Sequence, residues 1–182
     1  MAPELTVADL KELVRTVPDF PHPGIQFRDI TTLIGHPVGM ASSVKHLAAL
    51  AKAAGAEKIA GMEARGFIFG AAVAVELGVG FVPVRKPGKL PVETIGIDYE
   101  LEYGTDRLEI DPAAVNSGEN VVIVDDLIAT GGTALATAQL LRKAGARVDH
   151  ALFVIDLPDL SGAQRLSEAG VSVGVLMDFE GE

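Results

Sequence analysis

The chain contains no cysteine, which excludes disulfides, thiol nucleophiles and zinc sites built on cysteine. This fits a reducing compartment, and the expectation is a cytoplasmic protein. Basic residues are the minority. Fifteen Lys and Arg against 25 Asp and Glu leave a formal charge of −10, so no general affinity for nucleic acid or an anionic membrane is expected. Any phosphate-rich ligand must instead meet a local basic cluster. Long apolar runs are also missing. The longest, Gly66 to Val84, is broken by Glu76 and by four further glycines or prolines, too interrupted to span a membrane. The N-terminal stretch MAPELTVADLKELV carries acids and heptad-like apolar spacing where a signal peptide would have basic residues and an apolar core. What remains is the composition of an ordinary globular protein, 48% hydrophobic and 22% charged. A length of 182 residues suggests a single domain, residues 1–182, and no internal repeat, low-complexity segment or linker interrupts it.

Along the chain, strand-like and helix-like segments alternate with short connections, the pattern of an α/β fold with a parallel sheet flanked by helices. Thr6 to Asp9 reads as a capping box opening a first helix, and Pro37 as the first residue of a helix running to Gly55. Between them PDFPHPGIQFRDIT reads as a loop, because three prolines within six positions exclude a helix. The strands EKIAGM, FVPV, VVIV, ALFVI and VSVGVLM follow, with the helical segments FIFGAAVAVEL, ALATAQLLRKAG and LSGAQRLSEAG among them. ETIGIDYELEYGTDRLEI alternates apolar with charged residues around Gly104-Thr105-Asp106 and reads as an antiparallel hairpin or flap outside the parallel core.

The richest stretch is VVIVDDLIATGGT, Val121 to Thr133. Four consecutive β-branched residues predict a strand buried on both faces, ending in Asp125 and Asp126. The loop that follows leads into a helix whose last turn carries Arg142 and Lys143 before Gly145. Unpaired N–H groups at the helix start, two glycines and the hydroxyls of Thr130 and Thr133 suit a phosphate. Two carboxylates would repel that phosphate but can accept hydrogen bonds from neighbouring sugar hydroxyls. Together they describe a ribose 5-phosphate. Neither a Walker lysine nor GxGxxG is present. Polar motifs recur where other strands end: Glu63-Ala64-Arg65-Gly66, the cations Arg85, Lys86 and Lys89, and Asp156-Leu157. In open parallel sheets such ends converge on one crevice.

VVIVDDLIATGGT closely resembles the 5-phosphoribosyl 1-pyrophosphate (PRPP) motif of type I phosphoribosyltransferases. Over nearly the whole chain the likeness sharpens to the adenine-using members. PDFPHPGIQFRDIT resembles their base-recognition loop (about residues 18–32), GMEARGF their pyrophosphate loop, VPVRKPGKLP their basic loop and YELEYGTDRLEI their hood (about residues 86–110). The resemblance implies that Arg65, Lys86 and Lys89 face pyrophosphate, that Asp125 and Asp126 meet the ribose hydroxyls, and that Ala129, Thr130, Gly131, Gly132 and Thr133 hold the 5-phosphate. It further implies that Phe27 stacks on adenine with Ile25, Arg28 and Leu157 around the base. Glu102, in the hood beside Tyr103, is the matched acid for the proton that adenine loses. Gln26 stands where the family usually has an apolar residue, and no ligand role is assigned to it.

The expected reaction is adenine plus PRPP to AMP plus pyrophosphate, in purine salvage. Cations near the pyrophosphate and carboxylates near the ribose carry the right signs for the charge that develops on bond breaking. Magnesium is expected, held chiefly by PRPP itself, with no direct protein ligand assigned. The family suggests a homodimer. Two alternatives stand beside this reading, a phosphoribosyltransferase for another purine base such as xanthine or hypoxanthine, and a non-catalytic PRPP-sensing regulator. The regulator would be expected to carry an added DNA-binding segment and a basic face, and neither is expected here.

Overall fold

The computed structural model describes residues 3–100 and 104–181. Its centre is a five-stranded parallel sheet. The strands are β3 (Lys58–Met62), β4 (Gly80–Val84), β7 (Val121–Ile128), β8 (His150–Asp156) and β9 (Ser172–Asp178), in the spatial order β4-β3-β7-β8-β9. β7 is the middle strand, and its side chains alternate between two cores. Val122 and Val124 face one core with Leu10, Leu33, Leu47 and Phe69, from helices α1 (Val7–Leu13), α2 (Thr31–Ile34), α3 (Pro37–Ala53) and α4 (Gly66–Leu77). Val121 and Ile123 face the other with Leu140, Leu141 and Leu166, from α5 (Gly132–Lys143) and α6 (Gly162–Glu168). All four are fully buried, as a strand covered on both faces requires.

The expected helix starts are present. The Thr6 hydroxyl accepts from the Asp9 N–H while the Asp9 carboxylate accepts from the Thr6 N–H, a reciprocal capping box, and Pro37 is the first residue of α3. The expected hairpin is also present: β5 (Ile95–Glu100) pairs antiparallel with β6 (Thr105–Ile110), with Ile97 opposite Leu108. Reciprocal bonds between the Arg85 and Glu109 backbones tie it to the end of β4.

Two expectations need correction. The β7 strand does not end at Asp125 and Asp126 but runs two residues beyond them, since pairing with β8 continues to Ile128 opposite Asp156. The segment read as a loop contains part of a small antiparallel hairpin, β1 (Arg15–Pro18) with β2 (Gln26–Asp29), followed at once by α2. Pro18 closes an edge strand, where a missing N–H costs no ladder bond, and Pro21 and Pro23 lie in the tip. Asp29 locks this hairpin. It accepts from the Thr31 hydroxyl (2.6 Å) and N–H (2.9 Å) and pairs with Arg15, and the Thr31 bonds, then Arg15, pull its carboxyl down to about 2.

Glycines set how closely β3 approaches its neighbours. A Cβ on Gly61 would lie 2.8 Å from the Gly66 oxygen and 2.9 Å from the Phe81 ring, so the turn from β3 into α4 has no room for a methyl group. Gly61→Ala should therefore cost about 1–3 kcal/mol of stability through overpacking, measured by urea denaturation. An unchanged midpoint would mean that the turn and the Phe81 ring yield freely.

Candidate active site

The carboxyl ends of β3, β7 and β8 open onto a crevice with two adjoining chambers. The first, about 480 Å³, is lined by Glu63, Ala64, Arg65, Asp125, Asp126 and the whole loop from Ala129 to Thr133, with Glu100 of the hairpin and Arg165 of α6. The second, about 470 Å³, is lined by Ile25, Gln26, Phe27, Arg28, Leu157 and Leu160. Arg65, Asp126 and Leu127 border both. The partition is one of chemistry: the acids of β7 and a glycine turn on one side, and Ile25, Phe27, Leu157 and Leu160 on the other.

In the first chamber the loop after β7 turns through Gly131, whose φ of +76° is left-handed, and α5 starts at the next residue. The turn is braced by α6. A Cβ on Gly162 would lie 2.2 Å from the Ala129 oxygen and 2.8 Å from the Gly131 nitrogen. The unpaired N–H groups at the start of α5 and the Thr130 and Thr133 hydroxyls thus surround one small space.

The two acids have different surroundings. Asp126 pairs with the Arg65 Nε, and this bond raises the arginine further above its already high range. Asp125 accepts from the Asp126 N–H at 2.8 Å and lies against Gly66, where a Cβ would come within 2.7 Å of its Oδ1. Although Asp125 keeps some surface in the chamber, its carboxyl is enclosed. Burial, and then the Asp126 charge, push it well above the ordinary aspartate range.

The base side is held from outside. The Arg28 guanidinium reaches the Thr16 hydroxyl (2.7 Å) and the Glu180 carbonyl (2.9 Å) and sits 4.8 Å from the centre of the Phe179 ring. Phe27 is 37% exposed and meets Phe20 edge to face at 5.1 Å, which presents an aromatic surface at the chamber.

Most of the site residues expected from the sequence converge here, namely Ile25, Phe27, Arg28 and Leu157 in one chamber and Arg65, Asp125, Asp126 and Ala129 to Thr133 in the other. Lys86 and Lys89 line neither. The Lys86 ammonium pairs with Asp106 of the hairpin and donates to the Tyr99 hydroxyl, which also accepts from Thr133 at 3.4 Å. The Lys89 carbonyl accepts from Arg85, whose Nε is held by Glu63 at 2.7 Å. Glu102 and Tyr103 lie outside the described residues. Tyr99, Glu100 and Arg165 were not singled out by sequence. Tyr99 and Glu100 could have been flagged by their place in the hairpin, whereas Arg165 carries no local signal.

Strand-end acids, a glycine turn at a helix start and an adjoining apolar chamber are the parts of a phosphoribosyl transferase. A sequence model of that family, the phosphoribosyl transferase domain, matches residues 43–166. An adenine phosphoribosyltransferase of Erythrobacter litoralis is 71% identical over 97% of this chain and 99% of its own length. The crystal structure of the Thermoanaerobacter pseudethanolicus adenine phosphoribosyltransferase superposes with a TM-score of 0.90, at 48% identity, covering 96% of this chain and all of that one. The Saccharomyces cerevisiae enzyme, solved with adenine and an imino-altritol bisphosphate, gives 0.87 at 39% identity over 94% and 98% of the two chains. The chain belongs to the adenine phosphoribosyltransferase family.

The raised Asp125 carboxyl has a consequence for stability. Because it holds its proton more tightly folded than unfolded, stability falls as pH climbs from the ordinary aspartate range toward the folded value, and the deficit persists at neutral pH. Asp125→Asn should therefore raise the Tm at pH 7, with the gain shrinking as the buffer is acidified. Equal melting of parent and variant across that range would mean that the carboxyl carries no such penalty.

Proposed function

We propose that the two chambers divide PRPP and adenine between them and that the chain transfers the 5-phosphoribosyl group to adenine, giving AMP and pyrophosphate in purine salvage. One observation carries this reading: Arg65 and Asp126 border both chambers, at the junction where a ribose joined to a base on one side and a phosphate on the other must lie. Adenine occupies the apolar chamber against Phe27, with Ile25, Arg28 and Leu157 around it. The loop from Ala129 to Thr133 holds the 5-phosphate, Asp125 and Asp126 face the ribose, and Arg65 faces the pyrophosphate. Lys86 joins it only by leaving its present contacts with Asp106 and Tyr99, and Lys89 by reaching in from the loop after β4.

Bond breaking at the anomeric carbon leaves positive charge on the ribose and negative charge on the departing pyrophosphate oxygens. The carboxylates stabilise the first and the cations the second. A base nitrogen of adenine forms the new bond and loses its proton, and Glu102 in the hood is assigned as the acceptor. Among the described residues no three His, Cys, Asp or Glu converge as a metal-ligand set. A magnesium ion is proposed to arrive with PRPP and to be held chiefly by its phosphate oxygens, with no direct protein ligand assigned. Such an ion would neutralise charge on the leaving pyrophosphate.

The active unit is proposed to be a homodimer. α4 is apolar along nearly its whole length and leaves Val75 81% exposed and Ile68 40% exposed, surface that a second copy would cover. No described helix is long and apolar enough to cross a membrane. A cytoplasmic location is proposed on the composition, which lacks cysteine.

Three outcomes test this reading. Glu102→Gln keeps the shape of the side chain but cannot take a proton, so turnover should fall roughly 10²- to 10⁴-fold, and unchanged turnover with chemistry limiting retires the assignment. Adenine should exceed hypoxanthine by at least roughly 10²-fold in kcat/KM. A backbone C=O and N–H pair in the hairpin satisfies adenine's amine and ring nitrogen, whereas a 6-oxo base reverses both and leaves two groups unpaired. Comparable efficiency with hypoxanthine would overturn the base assignment. Finally, Val75→Lys should shift sedimentation toward monomer if α4 is the covered face, and a parent that sediments as a monomer removes the dimer.

A further inference from the structure

We infer that Arg165 is a substrate-binding residue of the first chamber, supplying the positive charge for the 5-phosphate that the loop itself lacks. This rests on reading that chamber as the 5-phosphate cup. The loop from Ala129 to Thr133 offers neutral donors only, backbone N–H groups and two hydroxyls, whereas a phosphate monoester carries close to two negative charges at neutral pH. The same chamber is lined by four carboxylates, Glu63, Glu100, Asp125 and Asp126, in a chain of charge −10. Only two cations line it among the described residues, Arg65 and Arg165. Arg65 is committed to Asp126 and stands at the junction with the base chamber.

Arg165 stands at the turn. Its Nη1 lies 3.7 Å from the position of a Cβ on Gly132, the first residue of α5. Among the described residues its guanidinium makes no hydrogen bond and no ion pair. The nearest acid along α6, Glu168, is taken by the Gln164 amide at 2.9 Å. Five donors therefore remain for a ligand.

An exposed arginine is ordinarily a solvated one, but here the helix that carries it is fixed to the phosphate loop. Gly162 packs on the Ala129 oxygen and the Gly131 nitrogen without room for a methyl group, and Leu166 next to Arg165 is fully buried. The base of the arginine is held at one height above the turn, and only its flexible end is free to close on an oxygen. A guanidinium presents two parallel N–H groups to a phosphate, a geometry that an ammonium cannot reproduce.

The test compares AMP with adenosine by calorimetry on the full-length protein, so that the phosphate alone differs. The parent should bind AMP far more tightly than adenosine. If it does not, the reading of the chamber as a phosphate cup fails, and the inference with it. Arg165→Gln should cut the AMP preference by roughly 10- to 100-fold, the worth of a charge-assisted hydrogen bond, while leaving adenosine affinity unchanged. Arg165→Lys should restore part of it. In steady state Arg165→Gln should raise KM for PRPP and leave KM for adenine in place. If Arg165→Gln keeps the parent's AMP-to-adenosine ratio while the parent shows the preference, the cup stands and the role of Arg165 is refuted. Equal loss of AMP and adenosine binding refutes it too, since that marks a structural role in bracing the turn.

Discussion

The site depends on carrying two adjacent carboxylates on the central strand of the sheet. β7 is fully buried from Val121 to Val124, and its pairing with β8 includes Asp125 and continues to Ile128, so the acids are presented by a strand and not by a loop. This makes their position rigid and their charge costly, because a carboxylate withdrawn from water must be paired or protonated. The protein uses both remedies. Asp126 is paired with Arg65, and Asp125, against Gly66 and beside its neighbour's charge, is pushed toward the neutral form. Stability given up here is offset by the two cores on either side of the same strand.

Absent side chains do as much to shape the crevice as the side chains present. Gly61 and Gly66 let the β3–α4 turn approach Phe81 and Asp125, and Gly131 and Gly162 let the phosphate loop and α6 touch backbone to backbone. These contacts carry no charge and no specificity. They fix the distances at which charged groups act, since a misplaced catalytic or binding group loses much of its worth. The hydroxyl of Tyr99 extends this framework to the hairpin by linking Thr133 at the phosphate loop to Lys86 and Asp106.

Much of this was legible in the sequence where the cause is local. A capping box, a proline at a helix start and four β-branched residues in a row each act through near neighbours, and α1, α3 and β7 follow from them. Strand ends that carry polar motifs in a parallel sheet converge because of topology, so one crevice at those ends was foreseeable. What escaped is set by long-range pairing. The β1–β2 hairpin forms in a proline-rich stretch because Asp29 finds Arg15 and Thr31, and no periodicity announces that. Lys86 was expected beside a ligand but is held by Asp106, twenty positions away on the folded-back hairpin. Arg165 occupies an unremarkable place in an amphipathic helix, and only the docking of Gly162 on Gly131 brings it to the phosphate loop.

The same geometry separates groups that bind from groups that accelerate. In the proposed reaction the 5-phosphate does not change, so a loop and an arginine assigned to hold it would contact it alike before, during and after bond breaking. Interactions of that kind lower KM and hold the ribose in place without lowering the barrier themselves. The groups beside the ribose differ. Charge on the ring and on the pyrophosphate oxygens grows only as the bond breaks, so in the proposed arrangement the acids of β7 and the cation at Arg65 would interact most strongly in the transition state. The setting of Asp125 fits this division. Burial and the Asp126 charge disfavour a second negative charge on the strand, and a positive charge developing nearby would favour it.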